Sequence, residues 1–258
     1  EPISGRFAKA AWADFNGDGW VDLCHITSAA STDCRVEPAR CRAECGDIPA
    51  YQWFCTSPQP VVYLNTDGAL SPAGSLLNMS TVCKSTTSAS WADYDGDGWI
   101  DLFVTCGDNI GRSTNDPRVG PNQLFRNVNG QQLVRVDASE VTTYVSWQAH
   151  GVYAGVYAWG SSASAWADFD GDGLVDLFVT NYQSSNRLYK NLGGGNFATI
   201  SSSMTSAVSD VPSSSGDSVA TAWGDMDADG DQDLVVANTN GENFLYENVQ
   251  GNLVRVTT

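Results

Sequence analysis

Four short segments of the chain carry oxygen-bearing side chains at a spacing suited to holding a hard cation. Trp12–Leu23 reads WADFNGDGWVDL, Trp91–Leu102 reads WADYDGDGWIDL, Trp166–Leu177 reads WADFDGDGLVDL and Trp223–Leu234 reads WGDMDADGDQDL. Counted from the first aspartate, the side-chain oxygens stand at positions 1, 3, 5 and 9 of each copy. Ca²⁺ takes roughly 6–8 oxygen ligands at about 2.3–2.6 Å, and alternate positions of a tight loop can point inward together. The predicted calcium ligands are Asp14, Asn16, Asp18 and Asp22 in the first copy, and Asp93, Asp95, Asp97 and Asp101 in the second. Asp168, Asp170, Asp172 and Asp176 serve the third copy, and Asp225, Asp227, Asp229 and Asp233 the fourth. The position-7 carbonyls of Trp20, Trp99, Leu174 and Asp231 complete four calcium sites. Glycine at position 6, Gly173 in the third copy, allows the positive φ of a sharp turn. Asn16 trades a charge for a neutral oxygen, so the first loop is expected to bind more weakly than the others.

Four carboxylates within a few ångströms repel one another unless a cation, protonation or loop opening relieves them. Four in-register copies make ordinary Asp/Gly hairpin turns an insufficient account. The loops also differ from an EF-hand, since position 12 holds His25, Val104, Val179 and Val236 in place of a bidentate glutamate. Each loop is therefore expected to link two strands instead of two helices.

The elements that must position these loops follow from the flanking sequence. Small residues alternating with a tryptophan precede each loop over Ala8–Ala13, Ser88–Ala92, Ser162–Ala167 and Val219–Gly224. Nearly continuous apolar runs follow it, as in Leu102-Phe103-Val104 and Leu177-Phe178-Val179, and a strand apolar on both faces must be covered on both. A second hairpin closes each repeat with an Asn-x-x-Gly turn, at Asn65, Asn127, Asn191 and Asn248. The loops start at 14, 93, 168 and 225, with spacings of 79, 75 and 57 residues. The shortest spacing sets the unit and the longer ones carry insertions.

Four-stranded units repeated without helical periodicity indicate an all-β chain, a β-propeller of four-stranded antiparallel blades. At 258 residues the chain is expected to form a single propeller domain over 1–258. Blade 1 is expected at about 7–80 with a Cys-rich insertion at 28–60, blade 2 at about 84–140, blade 3 at about 160–202 and blade 4 at about 217–258. Through its WADxDGDGxxDL and NxLYxN elements the chain resembles the FG-GAP/VCBS repeat proteins, the family of the integrin α-subunit propellers. The resemblance implies a propeller in which each calcium loop joins the first and second strands of a blade.

Net charge is −17, which argues against nucleic-acid partners. Half of the 30 acidic residues occupy the predicted ligand positions, so four bound Ca²⁺ would bring −17 to −9. No apolar run approaches the roughly 18–20 residues of a membrane span, and no membrane insertion is expected. The chain opens at Glu1, as a processed product would. Seven cysteines point to an oxidising compartment and a secreted or cell-surface protein. Cys34, Cys41, Cys45 and Cys55 crowd one segment, Cys83 and Cys106 flank the second loop's hairpin and can pair across it, and Cys24 is expected to be a buried free thiol. Asn78-Met79-Ser80 is a glycosylation sequon.

Function is read from what breaks the repeat. Trp12, Trp91, Trp166 and Trp223 recur in phase and are expected in the core. The insertion Val141–Gly160 carries Trp147, His150, Tyr153, Tyr157 and Trp159, and the Cys-rich insertion carries Trp53, Arg40 and Arg42. Such surfaces can stack on sugar faces or anchor a protein, although a loop that plugs a channel would look the same. The reading is an extracellular, calcium-stabilised recognition or adhesion module, lectin-like, for a glycan or an extracellular protein. The alternative is a polysaccharide-degrading lyase or hydrolase, or an accessory domain of one, since some polysaccharide lyases carry calcium-bearing propellers. No catalytic residue is assigned. His25 lies in an apolar strand, and Gly216-Asp217-Ser218-Val219 lacks a histidine partner.

Overall fold

The computed structural model describes residues 6–28, 60–73, 86–106, 122–136, 161–181, 185–200, 218–239 and 241–256. They form four antiparallel sheets of four strands each, every sheet built in chain order. Blade 1 comprises β1 (Arg6–Ala13), β2 (Asp22–Ser28), β3 (Pro60–Thr66) and β4 (Ala69–Pro72). Blade 2 comprises β5 (Thr86–Ala92), β6 (Asp101–Cys106), β7 (Gln123–Val128) and β8 (Gln132–Arg135). Blade 3 comprises β9 (Ser161–Ala167), β10 (Asp176–Asn181), β11 (Arg187–Gly193) and β12 (Asn196–Thr199). Blade 4 comprises β13 (Ser218–Gly224), β14 (Asp233–Asn238), β15 (Phe244–Val249) and β16 (Asn252–Arg255). The fold is all-β and β-propeller-like, with each aspartate loop joining the first two strands of its blade.

The apolar core lies in the seams between blades. Phe15, Cys24 and Val62 of blade 1 pack on Leu102, Val104 and Phe125 of blade 2. Phe103 and Leu124 of blade 2 meet Leu177, Val179 and Tyr189 of blade 3, and Phe178 and Leu188 of blade 3 meet Leu234, Val236 and Tyr246 of blade 4. Alternate residues of β6 and β10 thus serve opposite seams, so both strands are buried along their whole length. Three of the phased tryptophans, Trp91, Trp166 and Trp223, pack against these clusters. Trp12 departs from the expected core position and is 56% exposed. Its counterparts each lie on the blade before them, as Trp166 does edge-on to Phe103 with ring centroids 6.0 Å apart. Blades 1 and 4 share no such seam among the described residues, and the outward Val235 and Leu245 of blade 4 are exposed.

Inner strands are tied by hydroxyls and by one lysine. Thr87 donates to the Ser161 carbonyl at 2.6 Å, and Ser162 donates to the Ser218 carbonyl. Lys9 of β1 donates to the carbonyls of Ser162 at 2.7 Å and Val219 at 3.3 Å, and burial lowers its pKa. Cys24 is a buried free thiol, with burial pushing it up to about 12. Cys106 is disulfide-bonded, while Cys34, Cys41, Cys45, Cys55 and Cys83 lie outside the described residues. The sequon at Asn78 lies outside them too.

Candidate metal centres

The four loops repeat one hydrogen-bond scheme. The position-1 aspartate folds the turn around itself. Asp14, Asp93, Asp168 and Asp225 each accept the backbone N–H of positions 5 and 6, over 2.8–3.2 Å. The position-5 aspartate accepts the position-7 N–H, as Asp97 does from Trp99 at 2.9 Å. Position 4 as well as position 6 takes a positive φ, and Ala228, with φ 64°, stands where the other copies have glycine.

The position-9 aspartate is buried and works as a clamp. One oxygen accepts the N–H of position 2, from Phe15, Tyr94, Phe169 or Met226. The other accepts, at 2.7 Å in every blade, the N–H of Asn65, Asn127, Asn191 or Asn248 on the third strand. Burial pushes Asp101 and Asp176 up to about 7 despite these two donors, and it raises Asp22 in the same way.

Those asparagines were legible only as turn residues, yet they join neighbouring blades. The Asn127 side-chain amide donates to the Phe15 carbonyl of the first loop at 2.8 Å. Asn191 reaches Tyr94 of the second loop and Asn248 reaches Phe169 of the third, both at 2.7 Å. Each also donates to a carbonyl of its own loop, at Ile100, Val175 or Gln232. A loop is therefore held by the third strand of its own blade and by the next blade. Among the described residues the Asn65 side-chain amide makes only the bond within its blade, to Val21 at 3.0 Å.

Carboxylate oxygens converge within 4.8 Å of one another in three loops, as Asp93, Asp95 and Asp101, as Asp168, Asp170 and Asp176, and as Asp225, Asp227 and Asp229. Asp97, Asp172 and Asp233 stand outside those groups of three. The first loop forms no three-carboxylate group, because Asn16 replaces an aspartate and its amide donates to Asp18 at 2.9 Å. These donor sets suit a hard divalent cation, and in the third loop Asp170 Oδ1 is buried with no hydrogen-bond partner among the described residues. Lys190 meets that loop from β11, paired with Asp170 and, at 3.0 Å, with Asp172. Its hydrogen bond is the main cause of a lowered Asp172 pKa. Of the position-7 residues, Trp20 is exposed, and Trp99 lies against Gly130 so closely that a methyl group there would be 2.5 Å from its ring.

A family profile described as an FG-GAP-like repeat matches residues 168–236. The repeat opens on the first aspartate of the third loop and runs through the fourth loop into β14. No curated protein matches the sequence. Among solved structures the chain is similar to an Agrocybe aegerita lectin described for specific recognition of non-reducing terminal N-acetylglucosamine, with 13% identity and a TM-score of 0.38. The alignment covers 96% of this chain and 65% of the lectin, so the chain spans under two thirds of that protein's length.

The predicted ligand-binding residues Arg40, Arg42, Trp53, Trp147, His150, Tyr153, Tyr157 and Trp159 lie outside the described residues. His25 is a core residue, 1% exposed and stacked on Tyr63 with centroids 5.2 Å apart. No helix among the described residues is long and apolar enough to cross a membrane.

Proposed function

We propose that the chain is an extracellular, calcium-stabilised β-propeller module that recognises a glycan or an extracellular protein. The observation that carries this reading is the convergence of three carboxylates within 4.8 Å in each of three loops, on a chain with an FG-GAP-like repeat. Such repeats are typical of extracellular proteins, and the disulfide at Cys106 suits that compartment. Bound Ca²⁺ would supply positive charge and oxygen coordination at four loops, with the predicted aspartates, Asn16 and the position-7 carbonyls as ligands.

The chain's own residues pass that order outward. The position-9 aspartate ties its loop to the third strand, and the asparagine of the next blade ties the loop across the seam. Ordering one loop thereby stiffens two blades, and the scaffold presents the insertions at 28–60 and 141–160 as recognition surfaces. A site with Ca²⁺ at 1,000 times its Kd contributes roughly 4 kcal/mol. A glycan-array screen of the intact chain in millimolar Ca²⁺, repeated in excess chelator, tests the reading. Calcium-dependent binding to one sugar class supports it. Silence from folded protein in both conditions, toward glycans and toward extracellular proteins alike, rejects it.

A further inference from the structure

The three seams are not equivalent. The second-hairpin turn of each blade abuts the aspartate loop of the blade before it. At the first seam a methyl group on Gly130 would lie 2.9 Å from the Asn16 carbonyl, and at the third one on Gly251 would lie 3.1 Å from Asp170 Cβ. In both places the turn covers position 3 of the loop. At the middle seam the turn runs through Gly193-Gly194-Gly195, as long as the Asn129-Gly130-Gln131 turn of blade 2 and one residue longer than that of blade 4, and all three glycines take a positive φ. Gly195 reaches only the edge of Tyr94, at 3.8 Å for an added methyl, and leaves Asp95 uncovered.

At this seam lies a cavity of about 580 Å³, lined by the polar Asp95, Asp97, Arg126 and Asn196 and by Tyr94 and Val136. That volume falls within the roughly 300–1,000 Å³ of small-molecule sites. Arg126 is its one cation among the described residues. The aligned residue Lys190 is tied to Asp170 and Asp172, while Leu64 and Glu247 bring no positive charge to their blades. The Arg126 side chain makes no hydrogen bond or ion pair among the described residues, and burial first, then the Asp97 charge, raise the pKa of neighbouring Asp95 against the opposing Arg126 charge. A guanidinium with free donors matches a carboxylate fork, and a lining that combines an aromatic and an aliphatic side chain with polar groups suits a pyranose ring.

We infer that this cavity at the seam of blades 2 and 3 binds a uronic-acid residue of an acidic saccharide, with Arg126 on its carboxylate. The inference rests on the recognition reading above and gives it a site. Asp95 and Asp97 also fit the second-loop cation, whose charge would offset theirs and leave Arg126 to an anion, so binding is expected to need calcium.

The test is isothermal titration of the intact chain with a galacturonate or glucuronate disaccharide and with its neutral counterpart, in Ca²⁺ and in chelator. The wild type is expected to prefer the acidic sugar by tenfold or more in Ca²⁺. Arg126→Gln should lose that preference, and Arg126→Lys should recover part of it. Lys190→Gln, at the covered seam, should bind as the wild type does. An acidic-sugar preference that survives Arg126→Gln overturns this site and leaves the recognition reading intact. If folded, calcium-loaded chain binds no saccharide, this inference fails, and the recognition reading then stands or falls on protein partners.

Discussion

Asn191→Ala tests the claim that blades are joined through their metal loops. The side chain is fully buried, donates to the Tyr94 carbonyl of blade 2 at 2.7 Å and to Val175 at 3.1 Å, and accepts the Gly193 N–H at 2.9 Å. Truncation strands two carbonyls and one N–H, and an unpaired buried group costs about 1–3 kcal/mol. Partial exposure of the Val175 and Gly193 groups lets water recover some of that, so the expected loss is about 3–5 kcal/mol. Asn65→Ala is the internal reference. Its one side-chain donation, to Val21, is exposed, and its Oδ1 is buried without a partner, so the loss should be about 1 kcal/mol or less. Urea unfolding followed by tryptophan fluorescence at fixed millimolar Ca²⁺ gives both values. Equal losses for the two variants, or an Asn191→Ala loss below 1 kcal/mol, would refute the inter-blade role.

Other expectations follow from the loops. Asp101 and Asp176 sit near 7 in the folded chain, whereas an unfolded aspartate titrates near about 4. The folded state then binds more protons between about pH 4 and 7, so stability in chelator should fall as pH rises through that window. Millimolar Ca²⁺, which needs deprotonated ligands, should reverse the slope, and melts at pH 5 and 7.5 would show either sign. Ala228→Gly relieves a left-handed alanine and should stabilise by about 1 kcal/mol in urea unfolding, and a loss would show that the loop does not hold that φ. Lys190→Met removes a cation paired with Asp170 and Asp172, and calcium titration should show the third site tightening by several-fold, about 1 kcal/mol. Unchanged affinity would mean that Lys190 does not compete there.

Much of the fold was legible because the repeat puts the same signals in phase four times. The apolar runs at Leu102–Val104 and Leu177–Val179 read as strands covered on both faces, and β6 and β10 are buried throughout. Cys24, standing where Phe103 and Phe178 stand, read as a buried free thiol and is one. Trp12 was misread because its burial depends on a preceding blade, which a period within the sequence cannot supply. The reach of Asn127, Asn191 and Asn248 into the neighbouring loop was hidden because Asn-x-x-Gly is sufficient as turn chemistry. Their recurrence in phase, three residues before Gly130, Gly194 and Gly251, was the available signal. The cavity at the middle seam depends on how far the Gly193–Gly195 turn stands from the second loop, a tertiary distance that composition and periodicity do not weigh.

The central claim is that calcium holds these blades in order. Thermal unfolding of the intact chain at pH 7.5 in millimolar Ca²⁺ and in excess chelator, with calcium stoichiometry by titration, tests it most directly. A rise in melting temperature with more than one ion bound per chain, blunted by Asp95→Ala and by Asp170→Ala, is the predicted result. Superimposable melting curves in the two conditions would contradict it.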